Sequence, residues 1–254
     1  MDYQIKQVGK FSYIEEGNGP ILMMLHGLFG AMSNFTSTLE HFKDKYRVVI
    51  PLLPIFNLEL VQTNIDGYVN YVEEFVAYKA FDKLILLGNS LGGHIALVYT
   101  ARNPQQVANM VLTASSGLYE SALGETFPQR GNYEYIKHKT EITFYNPATA
   151  TKELVDEVFD IVNDRNKAIR VIYTARSALQ HNMSKDLPNM SVPTLLIWGN
   201  NDTITPPFVA IEFSKLLPNS ELHFIEKCGH APMMECPDQF NKILGDYLNK
   251  FPHS

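Results

Sequence analysis

Residues 83–92 read Lys-Leu-Ile-Leu-Leu-Gly-Asn-Ser-Leu-Gly. An apolar run typical of a buried strand leads into a G-x-S-x-G pattern, which opens a helix-like stretch over residues 91–102. A strand that turns abruptly into a helix crowds the positions two before and two after the central serine, so both must lack bulk. Ser90 is then exposed at a helix N-terminus, where free N–H groups favour negative charge. Glycine and serine are also common in ordinary turns, so this prediction depends on the rest of the chain.

The composition is typical of one folded domain. The chain has 254 residues, of which 45% are hydrophobic and 19% charged, and a single α/β domain commonly reaches this length. The formal net charge of −6 argues against a nucleic-acid partner, because phosphate binding requires a basic surface.

Several features predict a cytoplasmic protein without a membrane partner. Residues 1–10 alternate polar and apolar side chains, which favours a first strand over a signal peptide. Apolar runs such as residues 21–25 are far too short to cross a bilayer. Cys228 and Cys236 are too few for a disulfide framework and lack the spacing of a zinc site. We therefore expect reduced thiols and no metal.

Short apolar runs alternate with helical patterns along much of the chain. Alternation of this kind predicts an α/β protein with a mostly parallel sheet of about eight strands, covered by helices on both faces. The helical patterns include residues 65–76, where apolar side chains recur at the 3.6-residue period. The predicted buried strands are residues 21–25, 47–50, 84–87, 110–113, 194–198 and 221–225.

The alternation stops between residues 117 and 189, where helical patterns continue without a convincing buried strand. We expect a single domain over 1–254, with 1–116 and 190–254 forming the core and 117–189 a helical cap. Thr151 is a candidate N-cap for a helix whose apolar stripe includes Val158 and Phe159. The aromatic residues of this segment are pocket candidates, although most are expected to be structural: Tyr119, Phe127, Tyr133, Tyr135, Phe144 and Tyr173.

A serine hydroxyl is a weak nucleophile, so catalysis by Ser90 requires a histidine base and an acid that orients it. Asp202 follows the predicted strand 194–198, and His230 follows the predicted strand 221–225. Because the carboxyl ends of parallel strands share one edge, we expect the three side chains to converge there. Asp202 could instead only stabilise its turn. His94 and His223 are other possible bases, but their positions within a helix and a strand favour structural roles.

A second loop supplies the remaining part of the expected site. His26-Gly27-Leu28-Phe29-Gly30 follows the strand 21–25, and its glycines allow the backbone to approach a reacting carbonyl closely. We expect the backbone N–H groups of Leu28 and Leu91 to bind the oxyanion. His26 is expected to shape this loop rather than to transfer a proton. The nearby segment 51–57, Pro-Leu-Leu-Pro-Ile-Phe-Asn, has no evident functional explanation from sequence.

The four parts occur in the order His-Gly, Gly-Asn-Ser-Leu-Gly, Trp-Gly-Asn-Asn-Asp and Cys-Gly-His. In this order they resemble the serine hydrolases of the α/β-hydrolase fold, and the resemblance covers nearly the whole chain. The resemblance implies a Ser90, Asp202 and His230 triad, an acyl-enzyme intermediate and no cofactor. It also suggests substrate contacts at Gly27, Phe29, Val158 and Phe159.

The expected substrate is a small or medium apolar ester. Gly-Asn-Ser at the turn is also similar to the meta-cleavage-product hydrolases, which split carbon–carbon bonds. Those relatives usually carry an arginine followed by an aromatic residue in the cap, and tryptophan after the catalytic histidine. This chain has Val158-Phe159 and Ala231 instead, which favours ester hydrolysis. Acyl transfer to an alcohol and a non-catalytic role as a small-molecule receptor stay open as alternatives.

Overall fold

The computed structural model describes residues 3–30, 32–119 and 129–251. Within these residues the strands form one eight-stranded sheet in the order β1-β2-β4-β3-β5-β6-β7-β8. The first two strands pair antiparallel, β2 is antiparallel to β4, and all other pairs are parallel. The strands are β1 Lys6–Val8, β2 Phe11–Glu16, β3 Ile21–Leu25, β4 Arg47–Pro51, β5 Leu84–Asn89, β6 Val107–Thr113, β7 Thr194–Gly199 and β8 Ser220–Ile225.

Helices of the described residues lie between and after these strands. Their bounds are α1 Thr36–Phe42, α2 Ile65–Tyr78, α3 Leu91–Arg102, α4 Tyr133–Glu141, α5 Lys152–Asn163, α6 Arg165–Gln180, α7 Pro207–Leu216, α8 Pro232–Glu235 and α9 Pro237–Leu248. An eight-stranded, mostly parallel sheet flanked by helices is the architecture that the sequence predicts.

Alternation along the strands produces two hydrophobic cores, one on each face of the sheet. Leu86 of β5 packs with α2, α3 and α7, whereas its neighbours Ile85 and Leu87 pack with α1, α8 and α9. Successive strand side chains point to opposite faces, so a strand covered on both faces must be apolar throughout. This explains why β5 is buried along its whole length.

The helices α4, α5 and α6 lie between β6 and β7. Thr151 caps α5 as predicted, because its hydroxyl accepts a hydrogen bond from the Leu154 N–H. The Met183 N–H donates to the Gly117 carbonyl at 2.8 Å, which ties the two ends of this segment together. The predicted cap boundaries include residues 120–128, which lie outside the described residues, and the division at 117 and 189 stays a prediction.

The N-terminal strand prediction was wrong in detail. Residues 1–10 were expected to form one strand, but β1 covers only Lys6–Val8, and residues 1 and 2 lie outside the described part. A further strand, β2, follows it across Gly9, whose φ is +57°. β1 has only three residues and is exposed along its length. A short, exposed edge strand carries little hydrophobic signal, which is why the hairpin was not recognised.

A buried histidine, in contact with a partly exposed one, makes stability depend on pH. His94 in α3 is fully buried, and its Nε2 lies 3.0 Å from Nδ1 of His181. Burial, reinforced by the His181 charge, lowers the pKa of His94 from 6.5 to about 3. In the unfolded chain His94 therefore binds a proton below about pH 6.5, whereas in the folded protein it stays neutral down to about pH 3.

We expect the free energy of unfolding to fall as pH drops through this window, by up to about 1.4 kcal/mol per pH unit from His94. Urea unfolding followed by the fluorescence of the single, buried Trp198 measures this directly at about pH 7 and about pH 5. A His94→Gln variant should show a shallower dependence. Equal slopes in the two proteins would contradict the assignment.

Candidate active site

Ser90 occupies the turn between β5 and α3 with φ of +54° and ψ of −117°. This left-handed conformation is rare for a residue with a side chain and marks a strained position. A Cβ atom at Gly92 would lie 2.0 Å from the Leu25 carbonyl oxygen, and one at Gly88 would lie 2.4 Å from the Gly92 oxygen. Both contacts are with backbone, so neither glycine can carry a side chain without displacing the turn.

Backbone hydrogen bonds to β6, to the loop after it and to α3 hold this turn in place. The Ser90 N–H donates to the Thr113 carbonyl at 3.1 Å, and the Ser90 carbonyl accepts from the N–H groups of His94 and Ser116. The position of Ser90 is therefore set by its main chain. Its hydroxyl is not needed to build the turn.

Asp202 and His230 follow β7 and β8, as predicted, and they make direct contact. Nδ1 of His230 lies 2.9 Å from Oδ2 and 3.1 Å from Oδ1 of Asp202. The Asp202 side chain is completely buried, and that of His230 is 14% exposed. A buried charge requires partners, and the Asp202 carboxylate also accepts from the Ile204 N–H and from the N–H and hydroxyl of Thr205.

Further contacts position the loop that carries His230. The Thr143 carbonyl accepts from the His230 N–H at 2.9 Å, and the Glu235 carboxylate accepts from the Gly229 N–H at 2.6 Å. The Asn89 amide donates to the carbonyls of Thr113 and His230. Asn89 therefore connects the end of β5 to the histidine loop. Sequence reasoning assigned no role to these residues, although Asn89 lies inside the motif itself.

The loop after β3 is anchored by a histidine. His26 is buried, its Nδ1 donates to the Gly27 carbonyl at 2.9 Å, and its Nε2 accepts from the Leu53 N–H at 3.0 Å. Burial lowers the pKa of His26, consistent with the neutral ring that these two bonds require. The segment 51–57 thus supports the loop at Gly27–Gly30. This explains a stretch for which the sequence alone suggested no role.

A cavity of about 340 Å³ lies over Ser90 and His230. Four predicted contacts line it as well: Gly27, Leu28, Phe29 and Val158. Leu91 does not line it, but it begins α3, where backbone N–H groups have no intrahelical acceptor. Other lining residues were not singled out from sequence, and these include Asn34, Lys139, Thr140, Ile142, Leu154, Thr203, Ile204 and Met234.

Phe159 is placed away from the cavity wall, contrary to expectation. It packs beside Ile136, Val158 and Val162, with its ring centroid 5.3 Å from that of Tyr133. Phe159 points about 100° around α5 from Val158, and in this direction its ring packs against Tyr133 instead of lining the cavity.

Among the aromatic pocket candidates of the inserted segment that the structure describes, one lines the cavity and the others do not. Phe144 lines the cavity, whereas Tyr119 and Tyr173 are about half exposed on the surface. Tyr133 and Tyr135 contact neighbouring side chains of α5 and α4. Phe127 lies outside the described residues. No periodic signal distinguishes Phe144 from the others, because it follows α4 in an irregular loop.

The sheet has eight mostly parallel strands, with a serine on the turn after β5 and an acid–histidine pair after β7 and β8. This arrangement defines the α/β-hydrolase class. Residues 57–237 match the family model described as serine aminopeptidase, S33. This match covers well over half of the chain, so the protein belongs to that family of α/β-hydrolases.

Relatives agree with this class and differ in the substrates they name. The chain is 42% identical to MGS-MChE2, an α/β-hydrolase enzyme from a lagoon sediment metagenome, with a TM-score of 0.81 and coverage of 97% of this chain and 98% of the other. It is 26% identical to a 2-hydroxy-6-oxononadienedioate/2-hydroxy-6-oxononatrienedioate hydrolase of Pseudomonas sp, covering 94% of this chain and 92% of the relative. It is also 26% identical to the monoacylglycerol lipase ABHD6 of Bos taurus, covering 91% and 76% respectively.

Across 3–30, 32–119 and 129–251, no helix combines the length and apolar character needed to cross a bilayer.

Proposed function

We propose that this protein is a serine hydrolase that cleaves a small or medium apolar carboxylic ester through an acyl-enzyme. The observation that carries the proposal is the contact of 2.9 Å between Nδ1 of His230 and Asp202, in a cavity that Ser90 and His230 both line. A histidine oriented by a buried carboxylate beside a serine is the arrangement needed to activate a hydroxyl.

The proposed mechanism uses each of these groups. His230 takes the Ser90 proton as the hydroxyl oxygen attacks the ester carbonyl, and Asp202 stabilises the resulting imidazolium. The backbone N–H groups of Leu28 and Leu91 bind the oxyanion. His230 then donates the proton to the departing alcohol, and a water activated by the same histidine releases the acid. No metal or organic cofactor enters these steps.

We further propose that residues 117–189 form a helical cap over a core of 1–116 and 190–254. The support is that α4 and α5 contribute Lys139, Thr140, Leu154 and Val158 to the cavity wall. The inserted segment would then select the substrate while the core performs the chemistry.

Side chains of the site disfavour three alternatives. Carbon–carbon bond hydrolysis is disfavoured by Val158-Phe159 and Ala231, which replace the arginine–aromatic pair and the tryptophan expected for that activity. Aminopeptidase activity is disfavoured because the cavity wall contains Lys139 and, within the described residues, no carboxylate. A peptide amino terminus is cationic near neutral pH and would meet a like charge. A non-catalytic receptor would not require the Asp202–His230 contact.

A fluorophosphonate probe combined with a substrate panel tests the proposal. The panel contains p-nitrophenyl esters of increasing chain length, one dienoate ring-fission product and one aminoacyl p-nitroanilide. We expect covalent mass on the Ser90 peptide and preferred turnover of the shorter esters, given the cavity volume. Folded protein without this adduct would favour the receptor, whereas preferred turnover of the dienoate or the anilide would reassign the reaction. Added alcohol tests acyl transfer through ester products.

The remaining proposals concern the cellular setting. We propose a cytoplasmic enzyme that acts on a small molecule and requires neither nucleic acid nor a membrane. The support is the net charge of −6 and the free thiols of Cys228 and Cys236, since disulfides are usual in exported proteins.

A further inference from the structure

The cavity over Ser90 contains a cation that the proposed chemistry does not use. Apart from His230, Lys139 is the only ionisable residue among the described residues that line it. Within the same part of the chain, no carboxylate forms an ion pair with Lys139, and its recorded partner is the ring of Tyr135, whose centroid lies 5.8 Å from Nζ. The other described lining residues are uncharged, so Lys139 supplies the positive charge of the cavity wall.

Asp202 is the only buried acid among the described residues, and it forms its ion pair with His230 and not with this lysine. The Asp202 carboxylate is completely buried and is occupied by His230, Ile204 and Thr205. Its oxygen atoms are therefore engaged by these donors and not by Lys139. A cation at an apolar wall keeps its attraction for an anion, because the surroundings screen the charge less than water does.

Neighbouring hydroxyl groups on the same wall are already used as donors. The Thr140 hydroxyl donates to the Ile136 carbonyl at 2.9 Å, and the Thr143 hydroxyl donates to the Thr140 carbonyl at 2.6 Å. Both bonds stay within α4 and its end. The Lys139 ammonium, by contrast, has no hydrogen-bond acceptor among the described residues, and a carboxylate is the complementary acceptor for it.

We propose that Lys139 binds a carboxylate on the substrate, so that the preferred substrates are esters carrying a negative charge, such as monoesters of dicarboxylic acids. This inference rests on the proposed ester hydrolysis at Ser90, and it narrows the apolar ester proposed above to one whose apolar chain ends in a carboxylate. Lys139 is a specificity-determining residue, and it takes no part in the transfer of protons.

Pairs of esters that differ only in charge test this selectivity. Monomethyl adipate is compared with methyl 6-methylheptanoate, in which an isopropyl group replaces the carboxylate. A second pair carries the carboxylate on the alcohol part. The measured quantity is the ratio of kcat/KM for the charged ester to that for its neutral partner, and we expect at least one pair to favour the charged ester.

Lys139→Met should lower this ratio by about tenfold or more, mainly through KM, because a charge-assisted hydrogen bond is lost. Lys139→Arg should retain most of the preference, and added salt should weaken it. Lys137→Met is the matched control on α4, because Lys137 pairs with Glu141 at 3.8 Å and does not line the cavity. An unchanged ratio in Lys139→Met, or a wild-type preference for both neutral esters, would overturn the proposal.

A binding measurement separates this inference from the proposed reaction. Calorimetry on the Ser90→Ala protein should show adipate binding that is weakened by the additional Lys139→Met change. Fluorophosphonate labelling of wild-type Ser90 tests the reaction independently. Labelling without adipate binding would reject only the role of Lys139, whereas adipate binding without labelling would reject only the hydrolase mechanism.

Discussion

Ser90→Ala should lower ester turnover by at least about 10⁴-fold while the fold is retained. The hydroxyl supplies the oxygen that attacks the carbonyl, and alanine offers no substitute. The turn itself should persist, because the bonds at Ser90 to Thr113, His94 and Ser116 use backbone atoms or end on the Ser90 carbonyl. Alanine has the same Cβ and adds no clash at φ of +54°.

Steady-state kinetics with a p-nitrophenyl ester measures this loss, and circular dichroism with urea unfolding checks the fold. Ser37→Ala is the matched control, since this serine lies in α1 and contacts Asn241 in α9, on the face of the sheet that α9 covers. A Ser90→Ala protein that keeps more than about one-hundredth of the wild-type kcat would remove Ser90 from the proposed mechanism.

Asp202→Asn should lower kcat by about 10³- to 10⁴-fold, with a smaller effect on KM. The carboxylate only accepts hydrogen bonds, and it faces four donors: Nδ1 of His230, the Ile204 N–H, and the N–H and hydroxyl of Thr205. An amide replaces one acceptor with an NH₂ group, so a donor must face another donor. The histidine then loses the partner that selects its tautomer and stabilises its charged form.

Thr205→Val is the graded comparison for this prediction. It removes one hydroxyl donor to Asp202 Oδ2, at 2.8 Å, while the acid remains in contact with His230. We expect a loss of about tenfold or less, because a single neutral donor is removed. Asp202→Asn activity within about tenfold of wild type, in a protein that unfolds cooperatively, would show that Asp202 only stabilises its turn.

Sequence reasoning predicted the sheet because its signals are local and strong. The apolar runs at β3 and β5 are buried on both faces, so each residue in them contributes to the pattern. The edge hairpin of β1 and β2 was not recognised because β1 is short and exposed. A strand of three exposed residues buries too little surface to leave a distinct pattern.

The site residues were predictable for a related reason. Parallel strands bring their carboxyl ends to one edge, so chemistry-bearing side chains after β5, β7 and β8 were expected to be neighbours. The structure places Asp202 and His230 in contact and Ser90 and His230 on one cavity. The direction of a side chain was harder to predict from the sequence. Phe159 is an example, because the direction in which it points from α5 depends on packing against Tyr133 and Ile136.

The buried strands, the strained serine turn and the candidate catalytic side chains could all be predicted from the sequence, because glycines, apolar runs and chain order act locally or through simple topology. Only the tertiary structure decided that Leu53 anchors His26, that Asn89 holds the His230 loop and that Lys139 reaches the cavity of Ser90. These contacts join residues distant in the chain, and their formation depends on how helices and loops pack over the sheet edge. The nine-residue segment at 84–92 thus specifies where chemistry can occur, while the packing above it specifies which substrate can enter.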